Sequence, residues 1–334
     1  MSLLDIRNLS IYGRNDTDEA PLVDRISLTL ADGEILALVG ESGSGKSLVA
    51  QAVLGMLSDE WVMNAERISF DNIDLLHIDH DSHRSLLGED MAMIFQDPAA
   101  CLDPMMRVSE QLLESMPKTT PWWQLGRRKQ LQSLISMLHQ VGVRDHERLL
   151  TAYPHEISAG LAQKVMIAMA IARRPRLLIA DEPTIGMEPS TQGQLLRLLS
   201  KLNQLHKMSI LLLSHDINMA ARFADRLAVI YCGQVVEAGP ADAIINQPMH
   251  PYTEALLAST AAGLCRQPPK TPLPELRGGM PRRDHLPIGC RLGPRCGYAR
   301  KACVTMPELT RSKVRDYRCH YPLNQRIDVD EEDA

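Results

Sequence analysis

The sequence predicts an α/β fold built on a parallel core sheet, and three observations predict it. An apolar strand runs straight into a glycine-rich loop and a helix, further apolar strands return late in the chain, and a mainly helical stretch lies between.

The first strand is Ile35-Leu36-Ala37-Leu38-Val39, apolar at every position and so suited to burial on both faces of a parallel sheet. Asp32-Gly33 turns the chain into it. Earlier, Leu4 to Leu9 and Ile26 to Leu30 read as the two strands of a hairpin, with Asn15, Asp16, Asp18 and Glu19 in a solvated connection. The buried-strand pattern recurs at Leu177 to Ala180, Ile210 to Leu213 and Leu227 to Ile230, with helix-length intervals between. From Pro98 to about Pro175 the periodicity turns helical, most clearly over Gln130 to Leu138, and reads as a helical insertion. A short helix is expected around Ala241 to Ile245, then a proline-rich passage from Pro268 to Pro287. A domain boundary is expected near Pro240, giving 1–239 and 240–334.

The loop after the first strand is Gly40-Glu41-Ser42-Gly43-Ser44-Gly45-Lys46-Ser47. A pyrophosphate concentrates negative charge, so it needs backbone N–H groups that approach without side chains in the way and end at the positive end of a helix. Gly40, Gly43 and Gly45 leave the backbone bare, while Leu48 to Leu54 supply the helix. Lys46 is placed to reach the β- and γ-phosphates and the Ser47 hydroxyl to ligate Mg²⁺. Leu177 to Ala180 deliver a second element, Asp181 and Glu182, at a strand's C-terminal end, where open α/β sheets bind ligands. Asp181 would hold Mg²⁺ and Glu182 would orient an attacking water. Alone, such a pair reads more often as a solvated turn; the companion loop reverses that.

The totals restrict the alternatives. The 334 residues suit a large α/β domain with a smaller appendage, and 45% hydrophobic with 23% charged residues leaves a core to bury. No apolar run approaches the roughly 18 residues that span a bilayer, and Met1 to Asp5 lack a signal peptide's start. A cytoplasmic chain docked on membrane proteins is expected. A net charge of −5 gives no expectation of a nucleic-acid partner. The distribution is uneven: from Leu264 to Arg326 stand 14 Lys or Arg against 4 Asp or Glu, before the acidic end Asp328 to Asp333.

Four of the seven cysteines, Cys290, Cys296, Cys303 and Cys319, stand within 288–322 as C-x₅-C-x₆-C-x₁₅-C. Four thiolates are a full ligand set for zinc or a [4Fe–4S] cluster, and the lack of a tight C-x₂₋₄-C knuckle favours iron and sulfur. Four unrelated buried thiols are the competing reading. The nearby Arg291, Arg295, Arg300, Lys301 and Arg318 suit an anionic cluster, lipid head groups or a solvated face alike. Cys101, Cys232 and Cys265 read as structural.

Between these elements lie Gln96 in Met93-Ile94-Phe95-Gln96-Asp97-Pro98, the stretch Ser158-Ala159-Gly160-Leu161-Ala162-Gln163, and Ser214-His215-Asp216. In this order they resemble the ATPase subunit of ABC transporters over about Leu4 to Gly239. The resemblance implies an ABC-type P-loop nucleotide-binding domain with an N-terminal antiparallel β part, hydrolysing ATP with Mg²⁺. By the same resemblance Gln96 lies on a lid loop that senses Mg²⁺ and couples to the membrane subunit. His215 contacts the γ-phosphate, and Ser158 and Gly160 press on nucleotide held by another subunit. Tyr12 is the implied adenine-stacking residue, although the family's aromatic usually falls one position on, at Gly13.

Tyr153-Pro154-His155-Glu156, Leu178 to Thr184 and His250-Pro251-Tyr252-Thr253-Glu254-Ala255-Leu256-Leu257 look like the oligopeptide and dipeptide importer branch and its C-terminal extension. Trp122-Trp123, Met187-Glu188-Pro189 and Ile288 to Cys296 are similar to the ATPase subunits of Sap peptide transport systems, which are associated with antimicrobial peptide handling. Related dipeptide transporter subunits carry a [4Fe–4S] cluster. The implied partners are a second ATPase subunit, two membrane permease subunits and, indirectly, a periplasmic substrate-binding protein, at the cytoplasmic face of a bacterial inner membrane. Other readings are a nucleotide-sensing subunit of a polyamine or potassium system, and an ABC ATPase without a transport role.

Two positions depart from the family. Ala159 stands where a glycine is usual, adding a methyl group to a loop that presses backbone onto phosphate. Glu188 stands where the family usually has Asp. Neither touches the chain's own phosphate loop or its carboxylates, so an asymmetric heterodimer is expected.

Overall fold

The computed structural model describes residues 2–14, 20–117, 126–187, 189–259, 276, 278–312 and 314–324. They fall into two units, 1–77 with 212–334 and 78–211.

In the first unit, β1 (Ser2–Gly13) and β2 (Val23–Ala31) pair antiparallel, with Leu4 opposite Leu30 and Ile6 opposite Leu28. The expected strands are there, but they are longer and belong to more than a hairpin. After β3 (Ile35–Val39) and α1 (Lys46–Val53), the short strands β4 (Trp61–Asn64), β5 (Arg67–Phe70) and β6 (Ile73–Asp74) complete a five-stranded antiparallel sheet against β1. Sequence reading missed these three because β4 and β6 are largely exposed and two to four residues leave no period to detect. Residues 15–19, the expected polar connection, lie outside the described residues.

The second unit holds most of the helices. In order it comprises α2 (His80–Glu89), β7 (Met91–Ile94), α3 (Pro98–Cys101), α4 (Val108–Glu114), α5 (Arg127–Gln140), α6 (His146–Thr151), α7 (Ala159–Ile171), β8 (Leu177–Asp181) and α8 (Pro189–His206). The helical stretch was expected, and α5 buries Leu134, Met137 and Leu138 while leaving Leu131 exposed. α7 is apolar on nearly every face and buries Val165, Met166, Ile167, Ala168 and Ile171, the composition of a core helix. β7 and β8 pair in parallel, Met91 with Leu177 through Ile94 with Ala180. Trp122, Trp123 and Glu188 lie outside the described residues.

The chain passes between units within β9 (Ser209–Ser214). Back in the first unit come α9 (Ile217–Ala221), β10 (Arg226–Tyr231), β11 (Gln234–Pro240), α10 (Ala241–Asn246), α11 (Pro251–Ala258), β12 (Thr310–Arg311) and β13 (Asp316–Tyr317). β3 and β10 run parallel, Leu36 to Val39 facing Arg226 to Val229. β11 and β13 then add on antiparallel, so the core sheet is mixed rather than parallel throughout.

The chain beyond Pro240 is anchored by one buried carboxylate. Glu237 on β11 is fully buried and accepts the backbone N–H groups of Met249 at 2.8 Å and His250 at 3.0 Å. His250 Nδ1 in turn accepts from Tyr252 N at 3.1 Å, capping α11. β13 pairs with β11 through Tyr317 opposite Glu237, bringing the cysteine-bearing segment back to the same strand. Of 268–287, expected to be proline-rich linker, residues 268–275 and 277 lie outside the described residues.

Candidate nucleotide-binding site

The loop from Gly40 to Ser47 sits between the C-terminal end of β3 and the start of α1, in the first unit. Its shape follows from its glycines at two positions. A Cβ on Gly40 would overlap the Ile230 carbonyl oxygen of β10, so only glycine lets the loop start against that strand. Gly45 has φ of 104°, a left-handed conformation at the N-cap of α1, and a Cβ there would stand 3.0 Å from Val23 Cγ2.

Lys46 is 3% exposed, and its ammonium donates to the carbonyl oxygens of Gly40 at 2.8 Å and Glu41 at 3.1 Å. Those bonds satisfy a buried cation and hold it on the loop axis, where incoming phosphate oxygens could replace the carbonyls. Ser44 is wholly buried, and its hydroxyl has no hydrogen-bond partner. An orphaned hydroxyl in a bare-backbone loop fits an anionic ligand that brings acceptors of its own. Ser42 and Gly43 are exposed, while Glu41, Gly45 and Ser47 are half-buried.

His215 follows β9 in the same unit and is exposed, while its neighbour Ser214 accepts from Gly40 N at 3.2 Å. Asp216 caps α9, its carboxylate accepting Met219 N at 3.0 Å. The structure therefore places His215 beside the strand end where the phosphate loop begins. Tyr12 is half-buried on β1 opposite Val62 of β4.

The other expected site residues belong to the second unit. Asp181 closes β8 and is 6% exposed, and Glu182 follows it at 8%. Glu182 has φ of 44°, in the left-handed region that a residue with a side chain adopts at a cost. Gln96 stands two residues past β7, whose Ile94 pairs with Ala180, so it leaves the same end of neighbouring strands as the carboxylates. Ser158 caps α7, its hydroxyl accepting Leu161 N at 3.4 Å, and Ala159 is exposed beside it.

Two contacts to the phosphate loop lay outside sequence reasoning. Tyr252 Oη accepts from Glu41 N at 2.9 Å, and Arg295 Nη1 lies 3.4 Å from both Glu41 carboxylate oxygens. The His250 to Leu257 motif was visible, but nothing local ties it to a residue 211 positions earlier.

Cys290, Cys296, Cys303 and Cys319 line one small pocket with His250, Leu292, His320 and Tyr321. Cys290 N donates to Cys303 O at 2.9 Å. Burial pushes the Cys290 and Cys296 thiols up, and Cys319 up to about 11, with neighbouring thiols adding to each shift. Four thiols around one cavity fit a metal centre in donor chemistry. Among the described residues, however, no group of three or more His, Cys, Asp or Glu side chains stands in an arrangement that could hold a metal ion. The expected [4Fe–4S] ligation is therefore not a feature of this geometry. Cys101 is exposed rather than structural in its burial, Cys232 is buried, and Cys265 lies outside the described residues.

A strand, a bare phosphate loop with a buried lysine, and a strand-borne pair of carboxylates define the class: a P-loop nucleotide hydrolase. The ABC transporter family model matches residues 23–185, and the model for the C-terminal region of oligopeptide/dipeptide transporters matches 236–303. The peptide transport system ATP-binding protein SapD of Salmonella typhimurium is 49% identical over 97% of this chain and 99% of its own. The dipeptide transport ATP-binding protein DppD of Haemophilus influenzae is 41% identical over 98% of this chain and 94% of its own. Among solved structures, cbiO1 of Clostridium perfringens, part of the ABC transporter complex cbiONQ, superposes with a TM-score of 0.61. It is 24% identical over 73% of this chain and 91% of its own, a likeness of fold. The chain belongs to the ABC transporter ATP-binding family, in its oligopeptide/dipeptide branch, and is an ATPase of that class. No helix among the described residues is long and apolar enough to cross a membrane.

Proposed function

We propose that this chain energises a peptide importer of the Sap type, as one of two unlike ATPase subunits on the cytoplasmic face of a bacterial inner membrane. The reading is supported by similarity to SapD over 97% of the chain together with a complete phosphate loop. Residues 1–239 would form the ATPase domain, with its helical part at about 98–175, and 240–334 the extension. Two permease subunits would carry the peptide, delivered by a periplasmic binding protein, and cationic antimicrobial peptides are the proposed cargo.

The roles follow the chemistry of each residue. Gly40 to Ser47 would cradle the phosphates through backbone N–H groups, with Lys46 on the β- and γ-phosphates. Ser47 and Asp181, with Gln96 on its lid loop, would hold Mg²⁺, which supplies charge neutralisation at the transferring phosphoryl group. Glu182 would position the attacking water, His215 would donate to the γ-phosphate, and Tyr12 would stack on adenine. Ser158 and Gly160 would face nucleotide held by the partner subunit. Ala159 supports asymmetry: a methyl group stands exposed beside the cap of α7, where close approach needs bare backbone. ATP bound by this chain would then be hydrolysed against the partner's signature loop, and the reciprocal site would mainly bind.

Turnover by the reconstituted complex carrying Glu182→Gln tests the assignment. The expected loss is about 10²-fold or more in kcat with Mg·ATP affinity retained, as for a residue acting on the attacking water. Activity near wild type would refute it, and symmetric loss from the partner's equivalent substitution alone would remove the asymmetry.

A further inference from the structure

The phosphate loop is held from outside at Glu41, by residues of the C-terminal extension. Glu41 is fixed at three points, each by a different part of the first unit. Its N–H donates to Tyr252 Oη at 2.9 Å, its carbonyl oxygen accepts from Lys46 Nζ at 3.1 Å, and its carboxylate lies 3.4 Å from Arg295 Nη1. The two outer partners are themselves packed rather than free to swing. Tyr252 is fully buried on α11, with its ring 4.6 Å from that of Tyr231. Arg295 has a side chain only 8% exposed, donates to Tyr231 Oη at 3.2 Å and lies 5.7 Å from the Tyr231 ring centre.

Lys46 shares this geometry. Its ammonium rests on the carbonyls of Gly40 and Glu41, so the orientation of the Glu41 peptide decides where the charge waits for phosphate. The backbone just before it lies close to β10, since a Cβ on Gly40 would overlap the Ile230 carbonyl oxygen. Tyr252 and Arg295 therefore restrain the loop at Glu41, beside the carbonyls on which Lys46 rests. A preorganised loop pays less ordering entropy when the nucleotide arrives.

We propose that Tyr252 and Arg295, both from the C-terminal extension, are positioning residues for the phosphate loop, acting through Glu41 to set affinity for Mg·ATP. This rests on the nucleotide-binding reading of the loop. It assigns the extension a part in the ATPase site: α11 and the segment ending in Cys296 both contact the loop at Glu41.

The test is titration of Mg·ATP into the purified full chain, with the thermal midpoint measured without nucleotide. Tyr252→Phe removes only the hydroxyl, and Arg295→Gln removes the charge while keeping a polar side chain, so the thermal midpoints identify which variants are folded and interpretable. Each is expected to raise Kd by about three- to tenfold, the worth of one buried hydrogen bond. The double variant should fall short of the product of the two, because both act on one residue. Ser259→Ala, which removes a hydroxyl bond to Leu256 O at the end of the same helix, should leave Kd unchanged. Kd values within twofold of wild type for both single variants, or an equal rise in Ser259→Ala, would overturn the proposal. If wild type fails to bind Mg·ATP, or Lys46→Ala binds as well as wild type, the nucleotide-binding reading fails instead.

Discussion

At the scale of single residues, the phosphate loop shows how little a side chain can be tolerated where backbone must do the recognition. Gly40 and Gly43 illustrate two different reasons for the same residue type. At Gly40 a methyl group meets the Ile230 carbonyl, whereas at Gly43 it meets open space and only the φ of 81° opposes it. Gly40→Ala is therefore expected to cost about 1–3 kcal/mol through forced displacement of the loop. Gly43→Ala should cost less, about 1 kcal/mol, the low end for a side chain in a left-handed conformation. Chemical denaturation of the two variants checks the order, and equal losses would contradict it. Glu182 belongs here too, since its positive φ carries strain at the residue proposed to aim the water.

At the scale of elements, α11 depends on a neutral histidine. His250 is fully buried, and burial holds its pKa down to about 3, against a hydrogen bond with the Arg318 backbone that raises it and the Arg318 charge that lowers it. Its Nδ1 accepts from Tyr252 N, which requires that nitrogen to be unprotonated. In the unfolded chain the ring titrates near its ordinary value of 6.5. The unfolded state thus binds more protons between about 6.5 and about 3, so the stability due to neutral His250 is complete above that window. It is lost progressively as pH falls through it. Glu237, whose pKa burial raises, pulls the opposite way, so the informative quantity is a difference between variants. His250→Asn retains a capping acceptor without the titration, and its thermal midpoint should fall less than that of wild type between pH 7.5 and 5 (about the range where His titrates). Parallel profiles for the two proteins would contradict this.

At the scale of the whole molecule, the cysteine pocket and the phosphate loop lie in one unit and are joined through arginines beside two of the cysteines. Arg291, next to Cys290, donates to Cys232 O and to Asp24 Oδ2, and Arg295, next to Cys296, reaches Glu41. The [4Fe–4S] cluster expected from the sequence would require the metal itself to gather the four thiolates, because the pocket does not hold them in a ligating arrangement. Such coupling makes metal binding part of the folding energy of the segment. Anaerobically purified protein should then contain about four iron and four sulfide per chain and absorb broadly in the visible. Removing the metal with a chelator should lower the thermal midpoint. Iron-free protein whose midpoint is unaffected by Cys319→Ser would exclude the cluster, and stoichiometric zinc would replace it.

The sequence by itself determined the features that depend on neighbours along the chain: the apolar strand, the bare loop, the lysine and the first turn of α1, and the carboxylates closing β8. Strand burial and phosphate-loop geometry are written within about ten residues, so periodicity and glycine spacing suffice to read them. It also offered the four cysteines as a set, but not the shared pocket. Only the tertiary structure decided the rest. β4 to β6 are too short to announce themselves; β4 and β5 form against the edge of β1 that β2 leaves free, and β6 adds on to β5. The mixed core sheet arises because β11 and β13 add antiparallel beside β10. The clasp on Glu41 joins residues 211 and 254 positions apart. Hydrogen bonds across such separations depend on where packing brings the backbone, and no local pattern encodes them.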